Sequence, residues 1–309
     1  MMDVRRFEGG LLGLAVGDAL GMQVEGSSDP GYIRDYGDAR PDSVNAGLKA
    51  GQYTDDTIQM LILTESILKS HGFDIEVFVS SLIEWGKEIM INIERARGIG
   101  PTSLEAITNL LDGVDWMRSG GFGPTCGSAM RVAPIGLLYH RNFDLIAEIA
   151  ACSSIPTHRS PESIAGAVSV AVAVGGVTSG LEIETSIIKS ADYAEKHSKI
   201  LAEKIRLAVS LRNEPPAEAF SKIGRSVLAA EAVPAAMYAA LSGESFEDAL
   251  LIAVNHGGDT DSIGAMTGAI KGAYHTIDGI PPKWLIKLED CEEIRSSAKR
   301  LYALCESGF

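Results

Sequence analysis

Between residues 7 and 22 the chain sets small residues, Gly9, Gly10, Gly13, Ala15, Gly17, Ala19 and Gly21, into an otherwise apolar run. The pattern reads as a helix poor in bulk. Each glycine in a helix costs about 1 kcal/mol relative to alanine. A helix that accepts so many has another backbone pressed against it, so this segment is expected at the centre of a helix-on-helix fold. Asp18 lies inside it. A carboxylate buried there unpaired is costly, so Asp18 is expected to be a structural hydrogen-bonding group near a site.

Helical spacing of apolar residues continues at 57–69 and 74–92, then at 103–111 and 128–139. Further patterns run over 142–154, 161–178, 182–212, 216–231, 233–242, 246–256, 262–276 and 289–306. Residues 23–53 are turn-rich (Gly26-Ser27-Ser28-Asp29-Pro30-Gly31, Tyr36-Gly37-Asp38, Pro41-Asp42, Gly51) and read as a long loop of the kind that carries function. Val168, Val170, Val172 and Val174 alternate, but within an alanine-rich frame too long for a strand. Pro215-Pro216, Gly243-Glu244 and Pro281-Pro282 punctuate the chain without the look of linkers. The expectation is an all-α fold, one compact multi-helix domain over 1–309.

A formal net charge of −14 repels phosphate backbones, which argues against a nucleic-acid binder. Cys126, Cys152, Cys291 and Cys305 lack CxxC spacing and fit reduced thiols of a cytoplasmic protein. The N-terminus has no signal-peptide layout. Ser163 to Leu181 is uncharged and nearly long enough to span a bilayer. Its Gly, Ser and Ala content and missing aromatic belt favour a packed core helix, so no membrane partner is expected. A monomer or weak oligomer is expected.

Two acidic clusters stand out. Asn255-His256-Gly257-Gly258-Asp259-Thr260-Asp261-Ser262 precedes an apolar helical run, and Thr54-Asp55-Asp56-Thr57 opens another. Either alone fits a helix N-terminus, where Asp and Ser cap free N–H groups. Together, Thr54, Asp55, Asp56, Asp259, Asp261 and Ser262 offer hard oxygen ligands with no Cys/His cluster, which suits Mg2+ or Mn2+. Whether the clusters meet in space is not in the sequence. Glu25, at the mouth of the long loop, reads as a solvated surface glutamate or as a carboxylate that orients a water. The glycine turns Gly98-Ile99-Gly100-Pro101-Thr102 and Gly121-Phe122-Gly123-Pro124-Thr125 each precede a predicted helix, and such N-termini cap or bind anions. His158 reads as structural or ligand-binding. Arg131 is expected to meet phosphate or to pair with a site carboxylate, and the role of His256 is open.

The chain resembles the ADP-ribosylglycohydrolase family. The matching stretches are GLLGLAVGDALGMQVEG (10–26), YTDDTIQM (53–60), ARGIGPTSLEAI (96–107), GSAMRVAPIGLL (127–138), THRSPESIAGA (157–167) and NHGGDTDSIGAMTGAIKGAY (255–274). The resemblance implies an all-α fold with a two-metal cleft. It implies metal ligands at Thr54, Asp55, Asp56, Asp259, Asp261 and Ser262, the last standing where many relatives have threonine. Glu25 matches an acidic residue held over the ribose and metals. Gly100 and Thr102, and Gly127, Ser128 and Met130, match positions in loops that in the family receive diphosphate and distal ribose, and His158 matches a ligand-binding histidine. Relatives commonly carry Gly-Asn-Gly where this chain has Thr125-Cys126-Gly127, so an amide's hydrogen bonds are missing there.

The implied activity is hydrolysis of the glycosidic bond between ADP-ribose and an arginine, serine or similar acceptor, on a protein or a small molecule. The ribose diol would sit on two Mg2+ or Mn2+ ions, and a metal-held water, oriented by Glu25, Asp55 or Asp56, would attack the anomeric carbon. The alternatives are N-glycoside hydrolysis of a free nucleoside or nucleotide at the same site, or a non-catalytic ADP-ribose-binding relative.

Overall fold

The computed structural model describes residues 3–27 and 31–308. Ser28 to Pro30 of the first predicted turn lie outside the described residues. Among the described residues there are sixteen α-helices and no strand, which bears out the all-α expectation. Two isolated bridges, Gly121 with His158 and Thr125 with Leu228, are the extended pairings.

The helices run in chain order as α1 (Val4–Gly21), α2 (Asp55–Ser70), α3 (Ile75–Ile91), α4 (Pro101–Leu111), α5 (Trp116–Ser119), α6 (Ala133–Leu138), α7 (Phe143–Ser154) and α8 (Pro161–Thr178). They continue with α9 (Ile183–Ala194), α10 (Lys199–Ser210), α11 (Pro216–Ile223), α12 (Ala229–Ser242), α13 (Phe246–Val254), α14 (Thr260–His275), α15 (Pro282–Lys287) and α16 (Cys291–Glu306). The described part of 23–53 holds turns and bends only, as expected.

Helix α1 is buried along its length from Phe7 to Gly21. Its neighbour is α14, packed antiparallel. A methyl group at Gly9, Gly13, Gly17 or Gly21 would run into the carbonyl oxygens of Gly272, Gly268, Gly264 and Thr260 in turn. The reverse holds too: Gly264, Gly268 and Gly272 face the carbonyls of Gly17, Gly13 and Gly9. Small residues four apart on both helices let the two backbones touch, and the close dispersion contact offsets the helical cost of glycine. The same register brings the C-terminus of α1, and Glu25 beyond it, to the N-terminus of α14.

Helix α8 is the one described helix long and apolar enough to cross a membrane, and 83% of it is buried within the fold. It packs as a core helix, with Gly136 of α6 closed against the Ala171 carbonyl.

Three predicted boundaries are corrected. The 182–212 pattern is two helices, because Ser198 starts a new one by accepting from Leu201 N at 3.3 Å. The patterns at 216–231 and 233–242 are divided elsewhere. Gly224, at φ +90°, ends α11, and α12 begins at Ala229 and runs through Pro234. The pattern at 128–139 is helical only from Ala133, with Pro134 in its first turn; Gly127 to Arg131 form turns.

Candidate active site

Asp18 is the hub that sets the site. It is fully buried and accepts from Thr54 N at 3.0 and 3.1 Å, from Thr57 N at 3.0 Å and from Thr57 Oγ1 at 2.6 Å. One carboxylate on α1 therefore satisfies orphan donors at the start of α2 and fixes that start beside α14. The structural role read for Asp18 holds.

Around this hub the two acidic clusters meet. Carboxylate oxygens of Glu25, Asp259 and Asp261 lie within 4.8 Å of one another. Asp55 and Asp56 line the same cavity. Asn45 Nδ2 donates to Glu25 Oε2 at 2.7 Å and to Asp261 Oδ2 at 3.3 Å. Gln59 Nε2 donates to Asp55 Oδ2 at 2.6 Å. Asp56 is 2% exposed, and its Oδ2 has no hydrogen-bond partner.

Among the described residues, no lysine or arginine forms an ion pair with Asp18, Glu25, Asp55, Asp56, Asp259 or Asp261. Burial, and after it the charge of Asp261, raises Asp18 to about 7 and Glu25 to about 12, and holds Asp55 and Asp56 well above the ordinary carboxylate range. Burial and then Asp259 raise Asp261 to about 7. Buried carboxylates with an orphaned oxygen and no counter-charge form a group that could hold a cation. The donors are all hard oxygen, so the residues fit Mg2+ or Mn2+.

The cavity holds about 110 Å3. One wall is Glu25, Asp55, Asp56, Asp259, Asp261 and Ser262; the other is Gly100, Thr102, Cys126, Gly127, Met130 and His158. No side chain caps α4, whose first residue is Pro101, so its first-turn N–H groups are free to meet an anion. His158 is buried and neutral, held near 3 by burial and then by the Arg131 charge. Gly127 makes room for it: a methyl there would sit 2.7 Å from His158 Nε2.

Two expected residues stand behind the walls. Thr54 caps α2 by accepting from Asp56 N at 3.3 Å, and Ser128 donates to Ser163 O at 3.2 Å. Ser262 lies in the wall, its Oγ 3.7 Å from Met130 Sδ. Cys126 lines the cavity and already has a partner within the site. Its thiol donates to Asp259 Oδ2 at 2.9 Å, and burial with Asp259 keeps it protonated. Arg131 is a correction: it meets neither a site carboxylate nor the cavity, but donates to Gln59 Oε1, Ser153 O and Thr157 Oγ1. His256 Nδ1 lies 3.0 Å from Ile252 O, and its ring packs on Phe220.

Sequence reading missed Asn45 and Gln59. Asn45 sits in a turn with no motif around it; Gln59 follows Asp55 by one helical turn, a spacing that puts both on one face. A second, larger groove of about 890 Å3 adjoins the cavity and shares Glu25, Gly98, Gly100, Pro101 and Val227 with it. Val44, Ile93, Glu94 and Arg97 also line it.

The chain matches the family model of the ADP-ribosylglycohydrolases over residues 2–308. It is 44% identical to an uncharacterized protein of Archaeoglobus fulgidus, over 97% of this chain and 96% of that one. It is 29% identical to the ADP-ribosylarginine hydrolase Tri1 of Serratia proteamaculans, over 96% of this chain and 78% of that one. Among solved structures, one titled ADP-ribosylglycohydrolase-related protein complex is similar at a TM-score of 0.81 and 30% identity, covering 98% of each chain. Match and fold agree along the whole length: this chain belongs to the ADP-ribosylglycohydrolase family of hydrolases.

Proposed function

We propose that this protein hydrolyses the glycosidic bond between ADP-ribose and an acceptor, using two divalent cations. The observation that carries the reading is the carboxylate ring: Glu25, Asp259 and Asp261 within 4.8 Å, beside the unpartnered Asp56 Oδ2. Asp55, Asp56, Asp259 and Asp261, with the hydroxyl of Ser262, would hold the ions, and Thr54 would join them by turning its Oγ1 from the Asp56 N–H. Bound there, Mg2+ or Mn2+ keeps these acids ionised, grips a vicinal diol and lowers the pKa of water.

The protein's own groups do the rest. Glu25, largely buried where the cavity meets the groove and fixed by Asn45, would be placed to take a proton from a water once a bound cation lets it ionise. Asp55 and Asp56, in the same wall, would help orient that water. The uncapped start of α4 and the neutral ring of His158 offer N–H donors to diphosphate oxygens. The groove beyond Glu25 has room for the acceptor. Among the described residues that line it, the one arginine is paired with Glu289, so they offer the diphosphate no free cation.

Relatives named for arginine-linked substrates support this class, and the test separates acceptors. Release of ADP-ribose from arginine- and serine-linked peptides, and of base from free nucleosides, is measured with Mn2+ or Mg2+ and with EDTA. Metal-dependent release of ADP-ribose is expected. Removing Asp55 and Asp261 together (D55A with D261A) should cut it by at least about 10³-fold, an effect of order 4 kcal/mol on the barrier. Unchanged release from that double variant sinks the reading; release of base alone moves the substrate to nucleosides.

A further inference from the structure

Arg131 is fully buried, carries no carboxylate partner, and leaves its Nε unbonded. A guanidinium in such a place is costly unless its donors are used well. One goes to the Ser153 carbonyl, and the others to two groups whose polarity is otherwise ambiguous, the Gln59 amide and the Thr157 hydroxyl.

Arginine can only donate. On one side, Gln59 must therefore turn its Oε1 toward Arg131, which leaves Nε2 to donate to Asp55 Oδ2 at 2.6 Å. A flipped amide would set an oxygen against the carboxylate. On the other side, Thr157 Oγ1 accepts from Arg131 Nη2 at 2.8 Å and has one proton of its own to place. Two acceptors are in reach: Ser154 O at 3.4 Å and His158 Nδ1 at 2.9 Å. Ser154 O already accepts the backbone N–H of Thr157 at 3.1 Å and of His158 at 2.7 Å. The hydroxyl proton therefore goes to Nδ1. His158 then carries its own proton on Nε2, the edge that faces Gly127 in the cavity wall.

We propose that Arg131 is a positioning residue that sets, through Gln59 and Thr157, the hydrogen-bond polarity of both walls of the cavity. It holds Asp55 Oδ2 as an acceptor on the carboxylate side and His158 as an Nε2–H donor on the other. The second wall suits a ligand oxygen such as a phosphate's. Only this identification of the ligand rests on the functional reading above; the polarity itself does not.

The test uses the full chain with 15N-labelled histidine, at pH 7, with a two-bond 1H–15N correlation spectrum. The six histidines are separated by assigning His158 from its loss in His158→Gln. His158 is expected as the Nε2–H tautomer in the wild type and in Thr157→Ser, which keeps the hydroxyl. In Thr157→Val it should become a tautomer mixture, with ADP-ribose affinity reduced at least fivefold. An Nδ1–H ring in the wild type, or a Thr157→Val spectrum identical to it, overturns the proposal. For the other arm, Gln59→Leu should lower Mn2+ affinity by calorimetry about tenfold while leaving the His158 tautomer alone; an unchanged affinity overturns that arm. These readouts need no turnover. A protein with the expected tautomer and no hydrolase activity would defeat the functional reading and leave this one standing.

Discussion

Asp56 shows what one residue contributes and what it costs. Its Oδ2 is buried and unpartnered, and its carboxyl sits well above its ordinary pKa because burial, Asp261 and Asp18 all oppose the charge. Asparagine has the same shape without the charge, so Asp56→Asn should stabilise the metal-free protein, by roughly 1 kcal/mol, as substitutions that relieve a strained functional site do. The same variant should lose most of the melting-temperature gain that Mn2+ produces in the wild type. Thermal melts in EDTA and in Mn2+ check both halves. A variant less stable in EDTA than the wild type would show that Asp56 is a structural acceptor instead. Cys126 is instructive in the other direction. Its thiol is taken up by Asp259, so the missing amide changes how that carboxylate is held more than it opens the pocket. Nothing in the residue string pointed to that bond, since the two positions lie 133 residues apart.

At the scale of elements, the pair α1 and α14 does the positioning. The spacing of Gly9, Gly13, Gly17 and Gly21 made a close helix neighbour legible. The matching Gly264, Gly268 and Gly272 stand in the chain with the same period, but which helix presses on which is a matter of packing. A methyl at Gly13 or Gly17 meets backbone carbonyl on the facing helix, which cannot rotate away. Gly13→Ala and Gly17→Ala should therefore each destabilise the protein by roughly 1–3 kcal/mol, although alanine is the better helix former. Gly113→Ala, at φ +79° in a turn with open space around it, reports the backbone cost alone. Denaturant melts of the three variants separate overpacking from conformational strain; a neutral Gly17→Ala would mean the helices can part. Boundaries inside long apolar runs were less legible. Ser198 and Gly224 end or restart helices by single hydrogen bonds and one positive φ, signals weaker than the apolar period that surrounds them.

The whole molecule couples its charge state to its stability. In the metal-free fold Asp18 and Asp261 are raised to about 7 and Glu25 to about 12, against an ordinary carboxylate near 4 in the unfolded chain. Above pH 4 the folded protein thus holds protons that the unfolded chain has released. Stability contributed by Asp18 and Asp261 is present at acid pH and is lost as pH rises from about 4 through about 7, and that of Glu25 goes on falling toward about 12. Divalent cations favour the ionised form, so their stabilising effect should grow over the same window. The expected result is a difference in melting temperature, Mn2+ minus EDTA, that is small at pH 5 and several degrees at pH 8. Taking the difference removes the contribution of paired surface acids such as Asp38 and Glu289, whose pKa values are lowered and whose stabilising effect runs the opposite way. A difference that shrinks as pH rises would contradict a carboxylate-held cation.

By itself the amino-acid sequence determined that the chain is helical, that a glycine-lined helix lies at its centre, and that two helix starts carry clustered hard-oxygen donors. Those are local properties: apolar period, glycine spacing, oxygen donors beside a turn. Only the tertiary structure decided that the two starts share one cavity, because their meeting depends on α1 and α14 lying in glycine contact and on Asp18 reaching across to hold α2. It also decided where the donor-only Arg131 and the turn residue Asn45 would point. A hydrogen bond's direction is set by which partners fold into reach, and no periodicity in the chain records that.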